Sequence, residues 1–92
     1  MAKPIRINRA AAQDMAIAAL AFITQDTDRL SRFLALSGID PSGVRAAAAE
    51  RGFLAGVLDY VCGDEALLVT FATNAEIDPA EIDVARQVLS DR

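Results

Sequence analysis

Ile39-Asp40-Pro41 and Ile77-Asp78-Pro79 are the same tripeptide met twice, 38 residues apart. Each reads as a helix start. The Asp side chain accepts a hydrogen bond from a first-turn backbone N–H. The Pro fits the first helical position, where an N–H would have no partner in any case. Glu81 adds negative charge at the positive end of the second of these helices. Ile39 and Ile77, just ahead of the caps, are placed to staple back onto the following turn.

The correspondence extends outward from the tripeptide at constant offset. Leu20 aligns with Leu58, Asp26 with Asp64, Leu30 with Leu68, Phe33 with Phe71 and Ala47 with Ala85. Conservative pairs lie between them: Phe22 with Tyr60, Ile23 with Val61, Val44 with Ile82. Residues 15–52 therefore align without a gap on residues 53–90. A period of this length marks one supersecondary unit stacked on another. Two copies are too few for a solenoid, so the expectation is two related three-helix halves sharing one core.

Periodicity and capping place about six short helices, an all-α chain. The first runs from about Arg9, behind Asn8 as cap, to Thr24. The second spans roughly Thr27–Ser37, capped by Asp26 and ended by Gly38 in a left-handed conformation. Its apolar stripe is Leu30, Phe33 and Leu34, and Asp28 and Arg32 stand one turn apart on the polar side. The third begins at Asp40-Pro41 and ends near Gly52, weakened by Gly43 in its first turn by about 1 kcal/mol. The fourth covers Phe53–Cys62, with Phe53, Val57, Leu58 and Val61 inward and Leu54 at the edge. The fifth covers Glu65–Ala75 behind Asp64. Its Ala66-Leu67-Leu68-Val69 run, apolar all round, predicts a central position. The sixth covers Pro79–Ser90, with Ile82, Ala85, Val88 and Leu89 inward.

Ninety-two residues form one domain, read as residues 9–92 behind a flexible basic tail, residues 1–8. That length supports a single core without staples. The apolar run Met15–Ile23 is shorter than the ~20 residues a bilayer requires, and Asp14 abuts it, which disfavours a secretory leader. The one Cys forms no internal disulfide and suits a reducing, cytoplasmic setting. Charge is uneven: six basic against four acidic residues up to Ala46, then three against nine. The acidic second half disfavours a general nucleic-acid footprint.

The segment from Asp28 to Ala72, DRLSRFLALSGIDPSGVRAAA through GFLAGVLDYVCGDEALLVTFA, resembles a small family of functionally uncharacterised bacterial proteins, a domain of unknown function. The residues that carry the resemblance are Phe33, Leu34, Gly38, Pro41, Arg45, Phe53, Leu54, Val57, Leu58, Asp64 and Glu65. The resemblance implies a small helical bacterial cytoplasmic protein and transfers no activity.

Function is expected from what side chains are available. The chain has no His, its Cys has no evident partner, and no Gly-rich phosphate loop occurs. Asp59, Asp64 and Glu65 are oxygen ligands of the type hard cations take, but without calcium-loop spacing. Asp64 and Glu65 read first as a cap and a first-turn acid. Cys62, at the negative end of a helix, reads as an inert thiol. No catalytic role, cofactor or metal is expected. The hydrophobic fraction of 53% exceeds what one small core requires, so the expected function is a protein-interaction or self-associating helical module. Its expected contact face is Phe53, Leu54, Val57 and Tyr60. The alternative is weak nucleic-acid binding through Lys3, Arg6 and Arg9 of the tail.

Overall fold

The computed structural model describes residues 6–48 and 52–90; the side chains of Pro41, Val44 and Ala48 fall outside that description. The elements in chain order are α1 (Arg9–Thr24), α2 (Thr27–Ser37), a 3₁₀ turn (Pro41–Gly43), α3 (Val44–Ala48), α4 (Phe53–Cys62), α5 (Glu65–Ala75) and α6 (Pro79–Ser90). The fold is all-α, and five of the six expected helices stand where caps and periodicity put them.

The caps are explicit. Asn8 accepts the Ala11 N–H at 2.7 Å. Asp26 accepts the N–H groups of Asp28 and Arg29 at 2.9 and 3.3 Å. Asp64 accepts the Leu67 N–H at 3.2 Å and Asp78 the Ala80 N–H at 2.9 Å. Gly38 ends α2 with φ of 72°, a conformation in which a side chain would crowd the backbone.

The expected third helix is the one that differs. Asp40 holds the Ser42 N–H at 3.0 Å and the Ser42 hydroxyl at 2.8 Å. Those bonds shape a 3₁₀ turn, and the α-helix begins only after Gly43. Glycine's conformational freedom makes that first turn the weakest place in the segment.

The core is built by α1, α4 and α6. The sixth helix packs along both α1 and α4, and α1 packs along α4. Ala12, Ala16 and Ala19 form a fully buried stripe of small residues on α1, which lets the helices approach closely; Ile23, Val57, Leu58, Val61, Ile82 and Ala85 are fully buried with them. The expectation of a central α5 is overturned. That helix buries only Phe71 and Ala72, while Val69 is 50% exposed and Leu67 and Leu68 are half-buried. A run apolar on every side is compatible with a peripheral helix when one face of the bundle stays uncovered. Asp28 and Arg32, one turn apart on α2, form no ion pair among the described residues.

The 38-residue offset recurs among the described helices. α2 and α5 have the same length and begin and end 38 residues apart, as do the ends of α1 and α4. Gly38 and Glu76 occupy matching left-handed positions. The aromatic contacts are reciprocal: Phe22 of α1 meets Phe71 of α5 at 5.5 Å between centroids, and Tyr60 of α4 meets Phe33 of α2 at 5.1 Å. The third segments break the correspondence: Asp78 leads directly into α6, which packs along both α1 and α4, whereas Asp40 leads into a 3₁₀ turn ahead of α3.

Candidate functional site

A groove lies between α2 and α4 around Phe33. Phe33 is 3% exposed. Its ring meets Tyr60 edge-on at 5.1 Å and Phe53 edge-on at 6.4 Å, the arrangement aromatic quadrupoles favour. Around this trio opens a groove of about 460 Å³. Phe33 and Val57 form its floor, Phe53 and Tyr60 one wall, and Leu36 and Ile39 the other. Gly56 interrupts the α4 wall: a methyl group there would touch nothing within 4 Å. Asp59 stands on the same rim, its side chain 57% exposed and 3.5 Å from Arg86.

The expected contact face is thus partly assembled. Phe53 and Tyr60 are half-buried walls open to the groove. Val57 is fully buried, so it contributes floor and not an accessible side chain; it sits one turn from Phe53, on the side of α4 turned to the core. Leu54 is half-buried against the core and does not line the groove.

Sequence reasoning missed the opposite wall. Leu36, 71% exposed, is the most exposed of the large apolar residues in the described structure, ahead of Ile17 and Val69 at 53% and 50%. A signal existed, because Leu36 lies off the Leu30–Phe33–Leu34 stripe, on the polar side of α2. The 38-residue counterpart sharpens it: the position matching Leu36 is Asn74, also exposed, and that matching Gly56 is Ala18. Two similar helix pairs thus carry a polar residue in one half and an exposed Leu in the other.

A second cleft, about 260 Å³, lies between the starts of α2 and α5 and includes Asp26, Arg29, Arg32, Tyr60, Asp64 and Thr70 in its lining. Its polar groups are largely committed. Asp26 and Asp64 cap their helices. The Arg29 guanidinium lies 4.3 Å from the centre of the Phe22 ring, a cation–π contact. Thr70 donates its hydroxyl to the Ala66 carbonyl at 2.7 Å. Burial pushes the Tyr60 phenol above its ordinary value, partly offset by Arg32.

The residues weighed for chemistry are dispersed. Asp59 meets Arg86, Asp64 caps α5, and among the described residues no group of three or more His, Cys, Asp or Glu is placed to hold a metal. Burial, then the nearby Asp83 carboxylate, pushes the Cys62 thiol up, against thiolate formation. Of the basic residues weighed for nucleic acid, Arg6 is exposed, Arg9 donates to the Val88 carbonyl at 3.4 Å, and Lys3 lies outside the described residues. No described helix is long and apolar enough to cross a membrane.

Comparison with known proteins places the chain in a family. A family model described as "Protein of unknown function (DUF3572)" matches residues 9–92. No curated protein and no solved structure matches the chain.

Proposed function

The chain belongs to the DUF3572 family, whose function is undefined, and we propose from its geometry that it is a non-catalytic helical interaction module that receives an apolar helical face in the groove between α2 and α4. The observation that carries this reading is Leu36, exposed at the rim of an apolar groove whose counterpart position holds Asn74. An amphipathic helix laid in such a groove presents apolar anchors at helical spacing, and its affinity comes from the surface removed from water. Tyr60 suits the wall, since its ring is buried by a partner while its hydroxyl stays wet.

The duplication fits the same reading. The reciprocal Phe22–Phe71 and Tyr60–Phe33 pairs and the matching helix ends support two related halves. In the second half, the long helix after Ile77 closes over the bundle. In the first, a 3₁₀ turn takes the place of the helix start after Ile39, and Ile39 lines the open groove. The single Cys of the chain suits a reducing cytoplasm, and the resemblance favours a bacterial setting.

The test is capture from source-cell lysate with the intact chain and with Gly56→Glu, which puts a charge in the groove at a position with free space. A protein retained by the natural chain and lost with Gly56→Glu supports the reading. An identical set retained by both overturns it, as does nothing retained by either from a chain that also fails to self-associate.

A further inference from the structure

We propose that the occupant of the α2/α4 groove is the same groove of a second copy of this chain, in a two-fold symmetric pair. This rests on the groove reading above and adds the identity of the partner. A two-fold interface must be self-complementary, with knob and hole on one patch. Here they lie side by side. Leu36 projects 71% exposed from α2, and the hollow over Gly56 and Val57 opens directly beside it.

Charge agrees with shape. Arg32 precedes Leu36 by one helical turn, is exposed, and forms no ion pair among the described residues. Asp59 follows Gly56 by nearly one turn, is 57% exposed and, among the described residues, pairs with Arg86 at 3.5 Å. Arg86 keeps a second and closer carboxylate, Asp83 at 2.9 Å, so Asp59 is free to take another partner. Within one chain α2 and α4 run antiparallel: the start of α2 lines a cleft with Tyr60 and Asp64, and its end lines the groove with Phe53 and Gly56. A two-fold axis along the helices therefore keeps each residue of the second copy at its own height. Leu36 of one copy then meets Gly56 of the other, and Arg32 meets Asp59. Four helices close around the two Leu36 side chains. The open backbone at Gly56 permits that approach, and the paired charges fix the register.

Sedimentation of the full chain across a wide concentration range, at low and moderate salt, reads the outcome directly. The natural chain is expected to pass from the 9.8 kDa monomer to twice that mass as concentration rises. Leu36→Glu is expected to remain monomeric throughout. Arg32→Glu and Asp59→Arg are each expected to weaken the pair about tenfold or more, as loss of about 1.4 kcal/mol would, and the double exchange to restore it to within about threefold. Circular dichroism confirms that each variant is folded, since all three positions are exposed. A natural chain that stays monomeric, a dimer indifferent to Leu36→Glu, or a double exchange that restores nothing overturns the proposal. If the chain stays monomeric while lysate capture yields a different protein lost with Gly56→Glu, the groove reading survives and only the second copy is refuted. If capture also fails, both fall.

Discussion

Replacing Phe71 or Phe33 with Ala removes the same ring from matching positions, yet the two substitutions should not cost the same. Both rings are buried, 2% and 3% exposed. The transfer term is therefore similar, about 2–3 kcal/mol for the lost apolar surface. The cavity term differs. Phe71 packs against buried Phe22 at 5.5 Å and does not line the groove. A closed hole on the order of 80 Å³, at about 24 cal/mol per Å³, adds roughly 2 kcal/mol. Phe33 forms the floor of the groove, so a hole there opens to solvent and Tyr60 and Phe53 can settle into it. Phe71→Ala should thus cost about 4–5 kcal/mol and Phe33→Ala about 3 kcal/mol. Domains of this size have roughly 5–14 kcal/mol in total, so the first variant stands near the edge of folding. Phe71→Leu and Phe33→Leu provide a milder pair in the same order. Urea unfolding followed by far-ultraviolet circular dichroism measures all four. Equal costs, or a reversed order, refute the reasoning about the groove; costs below about 1 kcal/mol for both Ala variants mean the core has been misplaced.

Glu76 adopts φ of 57° at the position matching Gly38. Glu76→Gly should raise stability by about 0.5–1 kcal/mol, the relief of the left-handed penalty less the added chain entropy of Gly, visible as a higher urea midpoint. Asp78→Ala removes the acceptor of the Ala80 N–H and should cost about 1 kcal/mol by the same measurement, whereas an unchanged midpoint would deny the cap any role. Alkali should weaken the fold. Burial raises Cys62 and Tyr60 above their ordinary values of 9.0 and 10.0, so the folded state favours their neutral forms. Their contribution is complete below the unfolded values and is lost as pH rises through the folded ones. Urea midpoints should fall from about pH 8 to about pH 11, less steeply in Cys62→Ala, and a thiol reagent should label native Cys62 far more slowly than the unfolded chain.

The helices were legible because their ends are written in residues with local consequences. Asn8, Asp26, Asp64 and Asp78 each take first-turn N–H groups, and Gly38 adopts the conformation that few other residues tolerate. Burial of Phe33, Ile82 and Ala85 followed from stripe position, and that of Phe71 from its alignment with Phe33. What failed was non-local. Nothing within Ala66–Val69 reveals that α6, and not α5, lies between α1 and α4. The third segment failed for a local reason: the bonds of Asp40 to Ser42 favour a tight 3₁₀ turn ahead of Gly43. The contact face was half legible. Phe53 and Tyr60 carry apolar bulk on two sides of α4, which the sequence displays. The facing wall required knowing that α2 presents Leu36 beside Gly56, a juxtaposition set by the packing of α2 and α4 on Phe33.

The α2/α4 groove is proposed as the place where the protein makes its contacts. A photo-crosslinking amino acid placed at position 36 in the source cell tests it most directly, with position 73 on exposed α5 as control. A discrete crosslinked species is expected from position 36, abolished by Gly56→Glu, and none from position 73. No discrete species from position 36, or the same species from both positions, would contradict it.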